Sequence, residues 1–366
     1  MRPAEIKEDP ASFIRKQAEI LGDMKAVVFY EHGGLEKLVT REVPTPKLSN
    51  HEVLVRVEAC ALNHLDVLVR EGIPGLTVPL PHICGSDVAG VVSQIRSETQ
   101  DLQVGDRVII NPALSCGKCE FCVIGEESMC IDFRILGEHV NGGYAESVKA
   151  PRENIIPIPD HVHYVEAAAV PLVFMTAWRM LVTRAKVRAG EDVLILGAGG
   201  GVASAAIQIA KLLGARVFVT SSTDEKLRKA EELGADAFIN HSDTEFDREV
   251  WALTGKRGVD VVVDSVGSAT WERSIRSLSR GGRLVTCGAH TGSRATTDLR
   301  YLYWRQLQIV GSTMATLGEL KQVLEEVWKG RLRPVVDRVL PLEQAREAQR
   351  AMMKGEQFGK IVLEVS

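Results

Sequence analysis

The pattern of hydrophobic and polar positions divides the chain into two parts. Between about residues 24 and 150, short runs such as Val53-Leu-Val-Arg-Val alternate apolar with polar residues and are bounded by turn residues. This period-two alternation predicts an antiparallel β region. Between about residues 165 and 186 the period becomes helical. Beyond that point strand-length apolar runs alternate with helical segments, which is typical of a parallel sheet covered on both faces.

The second part predicts an α/β fold with a doubly wound sheet of six strands. The strands are predicted at residues 193–196, 216–220, 237–239, 259–264, 283–287 and 307–310, and the helices at 203–213, 224–233, 245–253 and 270–278. Two more helices, at 317–328 and 342–353, precede a final strand at 360–365. We expect this last strand to rejoin the β region, which would make the first domain discontinuous.

Composition limits the classes of protein that fit this pattern. A chain of 366 residues exceeds what one hydrophobic core usually supports, so two domains are expected. The net charge of −4 provides no basic surface for nucleic acid or for an anionic membrane. The longest largely apolar run, residues 167–178, is too short to span a bilayer.

The first 23 residues are a separate segment in this pattern. They carry charges throughout and lack the apolar core of a secretory signal, so we interpret them as an upstream start or a loosely docked helix. The chain has seven cysteines, an odd number, which indicates a reducing compartment. We therefore expect a cytoplasmic location.

Four cysteines lie close together in the sequence, at Cys116, Cys119, Cys122 and Cys130. Thiolates at this spacing can surround one Zn²⁺ ion tetrahedrally, and such a closed site holds structure rather than acting on substrate. The alternatives are four unrelated thiols or a disulfide pair, but only three other cysteines are spread over the rest of the chain. The sequence therefore predicts one structural zinc per chain.

A glycine-rich turn follows the first strand of the six-stranded sheet and opens a helix. Glycine allows a tight turn and a close approach of the backbone to a pyrophosphate, while the helix N-terminus presents free N–H groups. This context predicts a dinucleotide site, with a merely structural turn as the alternative. The predicted cofactor-binding residues of the turn are Gly197, Gly199, Gly200, Gly201 and Val202.

The end of the second strand of that sheet indicates which dinucleotide is bound. An NAD site places Asp or Glu there to bind the ribose 2′-hydroxyl, whereas this chain has Ser221 followed by Ser222. These residues leave room for a 2′-phosphate, and Lys226 and Arg228 can supply positive charge. Asp224 opposes this interpretation unless it only caps the next helix. We predict NADPH rather than NADH.

A four-cysteine lobe inside a β domain, followed by a Rossmann-type domain, resembles the zinc-containing alcohol dehydrogenases of the medium-chain dehydrogenase/reductase superfamily. The likeness extends from Met24 to the C-terminus. The motifs that support it are Ala61-Leu-Asn-His-Leu-Asp, Gly85-Ser-Asp-Val-Ala-Gly-Val-Val, Gly105-Asp-Arg-Val, Gly142-Gly-Tyr-Ala-Glu, Thr176-Ala-Trp and Phe358-Gly-Lys-Ile-Val.

The resemblance implies a domain organisation and an assembly. After an extension of residues 1–23, it implies a GroES-like catalytic domain at 24–173 and 316–366, with the zinc lobe at 112–132. It places a Rossmann domain at 174–315, with the nicotinamide cleft between the two domains. It also implies a homodimer or homotetramer.

The chain departs from this family at the catalytic zinc. Members with that zinc bind it through a Cys, the His of a Gly-His-Glu motif, and a later Cys or Asp. The residues at these positions are Asn63, Ser86 and Leu172, none of which is a good zinc ligand. Asn63 and Asp66, in a Leu-Asn-x-x-Asp pattern, instead resemble the zinc-free quinone oxidoreductases. The resemblance thus implies a structural zinc without a catalytic one.

A catalytic metal held by other residues remains the alternative. Candidate ligands in the same two segments are His64, Asp66, His82, Cys84 and Asp87, the last of which stands at the Glu of the Gly-His-Glu motif. The competing interpretation makes His82 a loop residue and Cys60 and Cys84 small buried residues, because free cysteine is commonly buried and inert.

Without a catalytic metal, hydrogen-bond donors must stabilise the charge that develops on the substrate oxygen. We predict that Asn63 donates to this oxygen, that His64 acts as an acid or relay, and that Asp66 anchors its loop. An ordinary loop histidine at the cofactor phosphates is the alternative for His64. By family position, Thr176 should lie near the nicotinamide, unless its hydroxyl bonds the preceding helical turn, and Lys360 should reach the cofactor or the cleft.

These features predict an NADPH-dependent reductase of quinones or α,β-unsaturated carbonyls, because the incoming charge then delocalises into an enolate. One alternative is a zinc alcohol dehydrogenase with unusual metal ligands. The other is an NADPH-binding sensor or structural protein with negligible turnover.

Overall fold

The computed structural model describes residues 22–96 and 101–365, and the expectations for residues 1–21 fall outside this range. The described residues form 17 strands and 11 α-helices. The strands are β1 (Asp23–Val28), β2 (Val39–Pro44), β3 (Glu52–Ala61), β4 (Asp87–Ile95), β5 (Arg107–Ile110), β6 (Ala113–Leu114), β7 (Arg134–Ile135), β8 (Ser147–Pro151), β9 (Ile155–Pro157), β10 (Asp192–Ile195), β11 (Arg216–Ser221), β12 (Ala237–Asn240), β13 (Val259–Asp264), β14 (Leu278–Thr286), β15 (Gln308–Gly311), β16 (Val336–Pro341) and β17 (Lys360–Glu364). The helices are α1 (His64–Glu71), α2 (Glu120–Val123), α3 (Tyr164–Ala168), α4 (Pro171–Trp178), α5 (Gly201–Leu212), α6 (Asp224–Glu232), α7 (Phe246–Leu253), α8 (Trp271–Arg276), α9 (Leu299–Arg305), α10 (Leu317–Trp328) and α11 (Ala345–Met353).

The second part of the chain forms the six-stranded parallel sheet that its pattern predicts. The strand order is β12-β11-β10-β13-β14-β15, with every neighbouring pair parallel. The central strands are buried on both faces, which explains their continuous runs of Val, Ile and Leu. Strand order reverses between β10 and β13, and ligands bind beyond the carboxyl ends of the strands at such a switch point.

The first part of the chain forms a mainly antiparallel sheet that includes the C-terminal strand. Its order is β16-β17-β3-β4-β5-β9, with β8 also paired to β3. Strand β17 runs antiparallel to β3, with Val362 opposite Ala61. The last strand of the chain therefore completes a sheet that begins about 300 residues earlier. The domain boundaries given above stay a prediction.

Helices α1, α2 and α9 were not predicted. Three further elements differ from the predicted pattern for local reasons. The helical segment at 165–186 is divided into α3, α4 and a π-helical turn, and α4 begins at Pro171 because proline fits only the first turn of a helix. Strand β14 begins at Leu278 rather than at residue 283, and it is irregular at Gly281, whose φ of 74° lies in the left-handed region that glycine adopts readily. Strand β16 has no counterpart in the prediction, because it is a half-buried edge strand with charged residues.

Within the described residues, no helix is both long enough and apolar enough to cross a membrane. The hydrophobic cores lie against the two sheets. Helices α4 and α5 belong to the larger core, which also contains residues of β3 and β4. This shared core fixes the glycine-rich turn next to the first sheet.

Candidate active site

A cleft of about 590 Å³ lies where the loops of the two sheets meet. All the predicted catalytic and cofactor-binding residues line it except Asp66. Residues that the sequence did not single out also line the cleft, including His241, Cys287, His290, Met314, Lys354 and Gln357. They come from loops and segments far apart in the chain, and their convergence depends on the packing of the two sheets.

The glycine-rich turn lines the cleft, and side chains at two of its glycines, Gly199 and Gly201, would crowd neighbouring lysines. The turn begins at Gly197 in the left-handed region, with φ of 72°, and α5 begins at Gly201. A Cβ atom at Gly199 would lie 2.9 Å from Lys226 Cδ, and one at Gly201 would lie 2.9 Å from Lys360 Cδ. The backbone of the turn is thus close to both lysine side chains. Because the glycines carry no side chains, this backbone can also approach the phosphates of a ligand.

The end of β11 carries serine hydroxyls rather than a carboxylate. Ser221 is buried at the end of the strand, and its Oγ accepts a hydrogen bond from Thr223 N at 3.5 Å. Lys226 donates its Nζ to the carbonyl oxygen of Gly355, and burial lowers the pKa of this lysine. Arg228 is exposed and is not part of the described cleft lining, so its contribution of charge stays a prediction.

Asp224 does not cap the helix that follows this strand. The N-cap is Thr223, whose hydroxyl accepts a hydrogen bond from Lys226 N. Asp224 is the first residue of α6 and accepts a hydrogen bond from Asn240 Nδ2 at 2.9 Å. Its carboxylate therefore faces Asn240 rather than the cleft.

The charges that line the cleft are all of one sign. Among the described residues, the lining includes three lysines and three histidines but no aspartate or glutamate. An anionic ligand is favoured by this arrangement, because no carboxylate repels its phosphate groups.

A buried ion pair between Lys360 and Asp87 lies beside the positions that bind catalytic zinc in the family that this sequence resembles. Lys360 Nζ lies 2.8 Å from Asp87 Oδ2 and 2.7 Å from Asn63 Oδ1. Asn63 Nδ2 donates to Asp87 Oδ2 at 2.9 Å, and the backbone N–H of Leu172 donates to Asp87 Oδ1 at 2.8 Å. All three interacting side chains are buried. The positive charge at this point of the cleft is therefore a lysine ammonium of the chain itself.

Asp66 lies behind the cleft and joins three segments of the first part of the chain. Its carboxylate accepts hydrogen bonds from Asn63 N at 2.7 Å, from Gly85 N at 3.0 Å and from the Tyr144 hydroxyl at 3.0 Å. Burial raises the pKa of Asp66 to about 6. These contacts hold the start of α1 against the Gly85 loop, and none of them reaches the cleft.

His64 is the first residue of α1 and contacts a histidine from the other sheet. Its ring centroid lies 4.9 Å from that of His290, with the two rings tilted by 42°. Partial desolvation lowers the pKa of both rings, and the neighbouring His64 lowers that of His290 further. Two imidazoles, one from each part of the chain, therefore face each other across the cleft.

Thr176 is buried in α4 and lines the cleft. Its Oγ1 lies 3.9 Å from Met314 Sδ. The hydroxyl thus contacts the segment that leaves the parallel sheet, and this contact is not the bond to the preceding turn that was the alternative. Its role next to a nicotinamide stays a prediction.

The residues considered for a rearranged catalytic metal site have protein partners of their own. His82 is buried, with Nε2 3.1 Å from the Gly137 carbonyl oxygen, and Cys60 and Cys84 are fully buried. Within residues 22–96 and 101–365, the one group of three or more close metal-ligating side chains is the cysteine quartet. Ser86, at the position of the zinc-binding histidine, has a buried hydroxyl without a hydrogen-bond partner in the described structure.

The cysteine quartet forms a compact cluster of sulfur atoms. The four Sγ atoms all lie within 4.8 Å of one another, with Cys119 and Cys122 at 3.5 Å and Cys116 and Cys122 at 4.0 Å. Zn–S bonds of about 2.3 Å in a tetrahedron separate sulfur atoms by about 3.8 Å, whereas a disulfide requires about 2.05 Å. The donor set therefore fits a zinc ion, and backbone N–H groups of Cys116 and Asp132 already point at Cys130 Sγ.

The cysteine lobe is tied to the rest of the molecule by a buried arginine. Arg179 donates Nη2 to Glu126 of the lobe at 2.7 Å and Nη1 to Glu319 of α10 at 2.7 Å. Glu319 also accepts the N–H of Thr316 at the start of α10. The lobe thus helps to hold α10 against the π-helical turn that follows α4.

A second and larger cavity of about 860 Å³ lies away from this cleft. It is lined by residues of β1, β2, β8 and the cysteine lobe. Of the predicted site residues, only Cys116 is part of its described lining. Its lining includes neither the glycine-rich turn nor Asn63, His64 or Lys360, so the smaller cleft is the candidate active site.

Two family models match parts of the chain. The family of zinc-binding dehydrogenases matches residues 201–329, and the alcohol dehydrogenase GroES-like domain matches residues 49–160. An alcohol dehydrogenase of Geobacillus stearothermophilus is 34% identical over 345 residues, which cover 93% of this chain and 100% of that protein. Quinone oxidoreductase of Homo sapiens is 30% identical over 352 residues, which cover 93% and 97%.

A solved structure adds to the comparison. The crystal structure of an NAD-dependent alcohol dehydrogenase is 46% identical, with a TM-score of 0.90, and covers 94% of this chain and 100% of that one.

Proposed function

The chain belongs to the medium-chain dehydrogenase/reductase superfamily, and within it we propose an NADPH-dependent reductase of quinones or α,β-unsaturated carbonyls that works without catalytic zinc. Membership makes it an NAD(P)H-dependent oxidoreductase with a GroES-like domain and a Rossmann-type domain. The acceptor, the preferred dinucleotide and the absence of a catalytic metal are the proposal.

The observation that carries the proposal is the donor set beside the cleft. Asn63, Ser86 and Leu172 offer no thiolate, imidazole or carboxylate to a zinc ion. The carboxylate of the neighbouring Asp87 is already paired with the Lys360 ammonium at 2.8 Å. A divalent cation at this point would have to displace a buried, hydrogen-bonded ammonium group.

This arrangement suits acceptors whose charge spreads over a conjugated system. A bound dihydronicotinamide supplies the hydride. Asn63 lines the cleft, and its amide nitrogen keeps one hydrogen beyond the one given to Asp87. That N–H can donate to the oxygen on which negative charge develops, in the way a preformed oxyanion site stabilises a transition state. Oxidation of an unconjugated alcohol would also require removal of the hydroxyl proton. The Asn63 amide is a hydrogen-bond donor and does not accept that proton.

The two histidines provide a route for the proton that balances the hydride. His64 contacts both solvent and His290 at the cleft. An imidazole can donate through one nitrogen and accept through the other, so His64 can pass a proton from solvent to the reduced acceptor. We assign this relay to His64, with His290 as its neighbour.

The preference for NADPH rests on the charges of the cleft. The strand end that binds the ribose in NAD sites has Ser221, and no carboxylate lines the described cleft to accept a 2′-hydroxyl. Lys226 lies beside it and can face a 2′-phosphate. The relative that is 46% identical is named NAD-dependent, so the two dinucleotides must be compared directly.

Steady-state rates with NADPH and NADH test this proposal on a panel of quinones, enones and saturated aldehydes. We expect turnover of the conjugated acceptors and kcat/KM at least about tenfold higher with NADPH, because an added 2′-phosphate contact of about 1.4 kcal/mol corresponds to that factor. Ser221→Asp should reverse the preference, because its carboxylate repels the phosphate and can bind the 2′-hydroxyl. Equal or better rates with NADH in the unchanged protein would contradict the cofactor assignment.

The same panel separates the alternatives. NADPH binding without oxidation by any acceptor would indicate a sensor or structural protein. Efficient aldehyde reduction that is lost on metal chelation would indicate an alcohol dehydrogenase with rearranged ligands, which the 46% identical relative makes the second candidate.

A further inference from the structure

We propose that Lys360 is a positioning residue that fixes the Asn63 amide so that one of its N–H groups remains available to the substrate. This inference rests on the proposed function, because it assigns the residue that orients the substrate-oxygen donor. It gives Lys360 a role different from the cofactor contact that the family position implies.

The register of the first sheet brings the three side chains together. Val362 of β17 lies opposite Ala61 of β3, and the same Ala61 lies opposite Asp87 of β4. Continuing the antiparallel register by two residues places Lys360 opposite Asn63, next to the start of β4. Three segments that are up to 297 positions apart in the chain thus meet at one edge of the sheet.

The chemistry of the partners leaves one orientation for the amide. An ammonium group only donates hydrogen bonds, and an ionised carboxylate only accepts them. Lys360 Nζ must therefore face Asn63 Oδ1, and Asp87 must face Asn63 Nδ2, as the contacts of 2.7 and 2.9 Å show. A rotated amide would set its NH₂ group against the ammonium and its oxygen against the carboxylate.

The amide held in this way still has one hydrogen-bond donor left. Asn63 Nδ2 has two hydrogens, and Asp87 is its one partner in the described structure. Because Asn63 lines the cleft, the second N–H is available to a ligand there. The ammonium also withdraws charge through Asn63 Oδ1, which strengthens donation from the same amide.

The ammonium itself is committed to this network. The Lys360 side chain is 3% exposed and that of Asp87 is not exposed. The lysine stem lies beneath Gly201, where a Cβ atom would lie 2.9 Å from Lys360 Cδ. The stem therefore passes under the dinucleotide turn, whereas the charge points away from it to Asn63 and Asp87. Loss of the charge should affect hydride transfer more than cofactor binding.

The main test replaces the charge of Lys360 and measures kcat and dinucleotide affinity separately. In Lys360→Met we expect kcat for the best conjugated acceptor to fall at least about tenfold, while the Kd for NADPH changes less than about threefold. The matched control is Lys149→Met, which breaks the 2.9 Å pair with Glu52 in the same sheet and should leave kcat unchanged. An unchanged kcat in folded Lys360→Met would overturn the proposal.

A second variant separates positioning from a purely structural role. Lys360→Met leaves the Asp87 carboxylate buried without its counter-charge, which destabilises the fold. Adding Asp87→Asn removes that charge and should recover most of the melting temperature. If Lys360 positions the amide, kcat stays low in the double variant. Recovery of kcat together with the melting temperature would show that the pair only supports the fold and would overturn the proposal.

A third readout needs no turnover. We expect the side-chain N–H groups of Asn63, assigned by their loss in Asn63→Asp, to exchange with solvent at least about tenfold faster in Lys360→Met than in the unchanged protein. Lys149→Met should leave this exchange as it is. If the unchanged protein reduces none of the acceptors, the proposed function is wrong. The exchange rates would still show whether Lys360 positions the Asn63 amide. Equal exchange in the two proteins would overturn the positioning role.

Discussion

At the scale of single residues, the side chains of Asn63 and Lys360 determine whether the cleft can bind a metal ion or donate a hydrogen bond to a substrate. A thiolate at position 63 would be a metal ligand, whereas an amide can donate a hydrogen bond. Asn63 meets Lys360 at 2.7 Å and Asp87 through its other side at 2.9 Å. The buried charges are balanced within the chain, and Asn63 and Lys360 both line the cleft.

Asn63→Ala tests the donor directly. We expect kcat to fall about 100-fold, because removal of one preformed donor to a developing oxyanion has a cost of that order. The Kd for NADPH should stay nearly unchanged, since the dinucleotide turn at residues 197–202 is untouched. Stopped-flow rates of NADPH oxidation, with Asn63→Asp measured alongside, provide the comparison. If kcat survives in Asn63→Ala, Asn63 has no part in the reaction.

Much of the site follows from local sequence, and the remainder depends on long-range packing. Gly197 to Val202 could be located because a turn between a strand and a helix has a local signature. The Lys360–Asp87 pair joins positions 273 residues apart, and only the sheet register reveals it. His290 gave no signal because its loop has no motif, and its meaning depends on the nearby His64.

At the scale of elements, the cysteine lobe links the first part of the chain to helix α10. Arg179 bonds Glu126 of the lobe and Glu319 of α10, and both pairs measure 2.7 Å. The arginine is buried, and a buried charge that loses one partner destabilises a fold strongly. A zinc ion that orders the lobe therefore supports the interface that this arginine holds.

Cys119→Ser tests the lobe as a structural element. We expect loss of about one zinc ion per chain and a lower melting temperature, because three thiolates no longer close the tetrahedral site. Zinc content and thermal unfolding are measured on the same sample, and Lys118→Ala, an exposed change in the same lobe, should alter neither. Full zinc content with normal melting in Cys119→Ser would show that the four cysteines do not form the site.

Individual strands and helices could be predicted where the period of the hydrophobic residues and the length of the run indicated the same type of element. The six strands of the parallel sheet were found because each contains a short apolar run, and the central strands β10, β11 and β13 are buried. The β16 edge strand was missed, since Asp337 and Arg338 interrupt its apolar pattern. The exposed edge strand β15 was still predicted because it keeps the apolar pair Ile309 and Val310, whereas β16 has charged residues in the middle of its run.

At the scale of the whole molecule, the C-terminal strand makes the two parts of the chain interdependent. Strand β17 begins at Lys360 and pairs with β3. A lysine near the C-terminus therefore places its ammonium group beside Asn63 and Asp87. The predicted fold class and superfamily are confirmed by the family matches and by the similar solved structure. The homodimer or homotetramer and the cytoplasmic location stay predictions.

The central claim is that this chain transfers hydride to conjugated acceptors with structural zinc alone. The measurement that tests it most directly is the zinc content per chain of protein purified to constant NADPH-dependent quinone reductase activity. The four cysteines predict one zinc ion per chain at full activity. Two zinc ions per chain, with activity lost as the second is removed, would contradict the account.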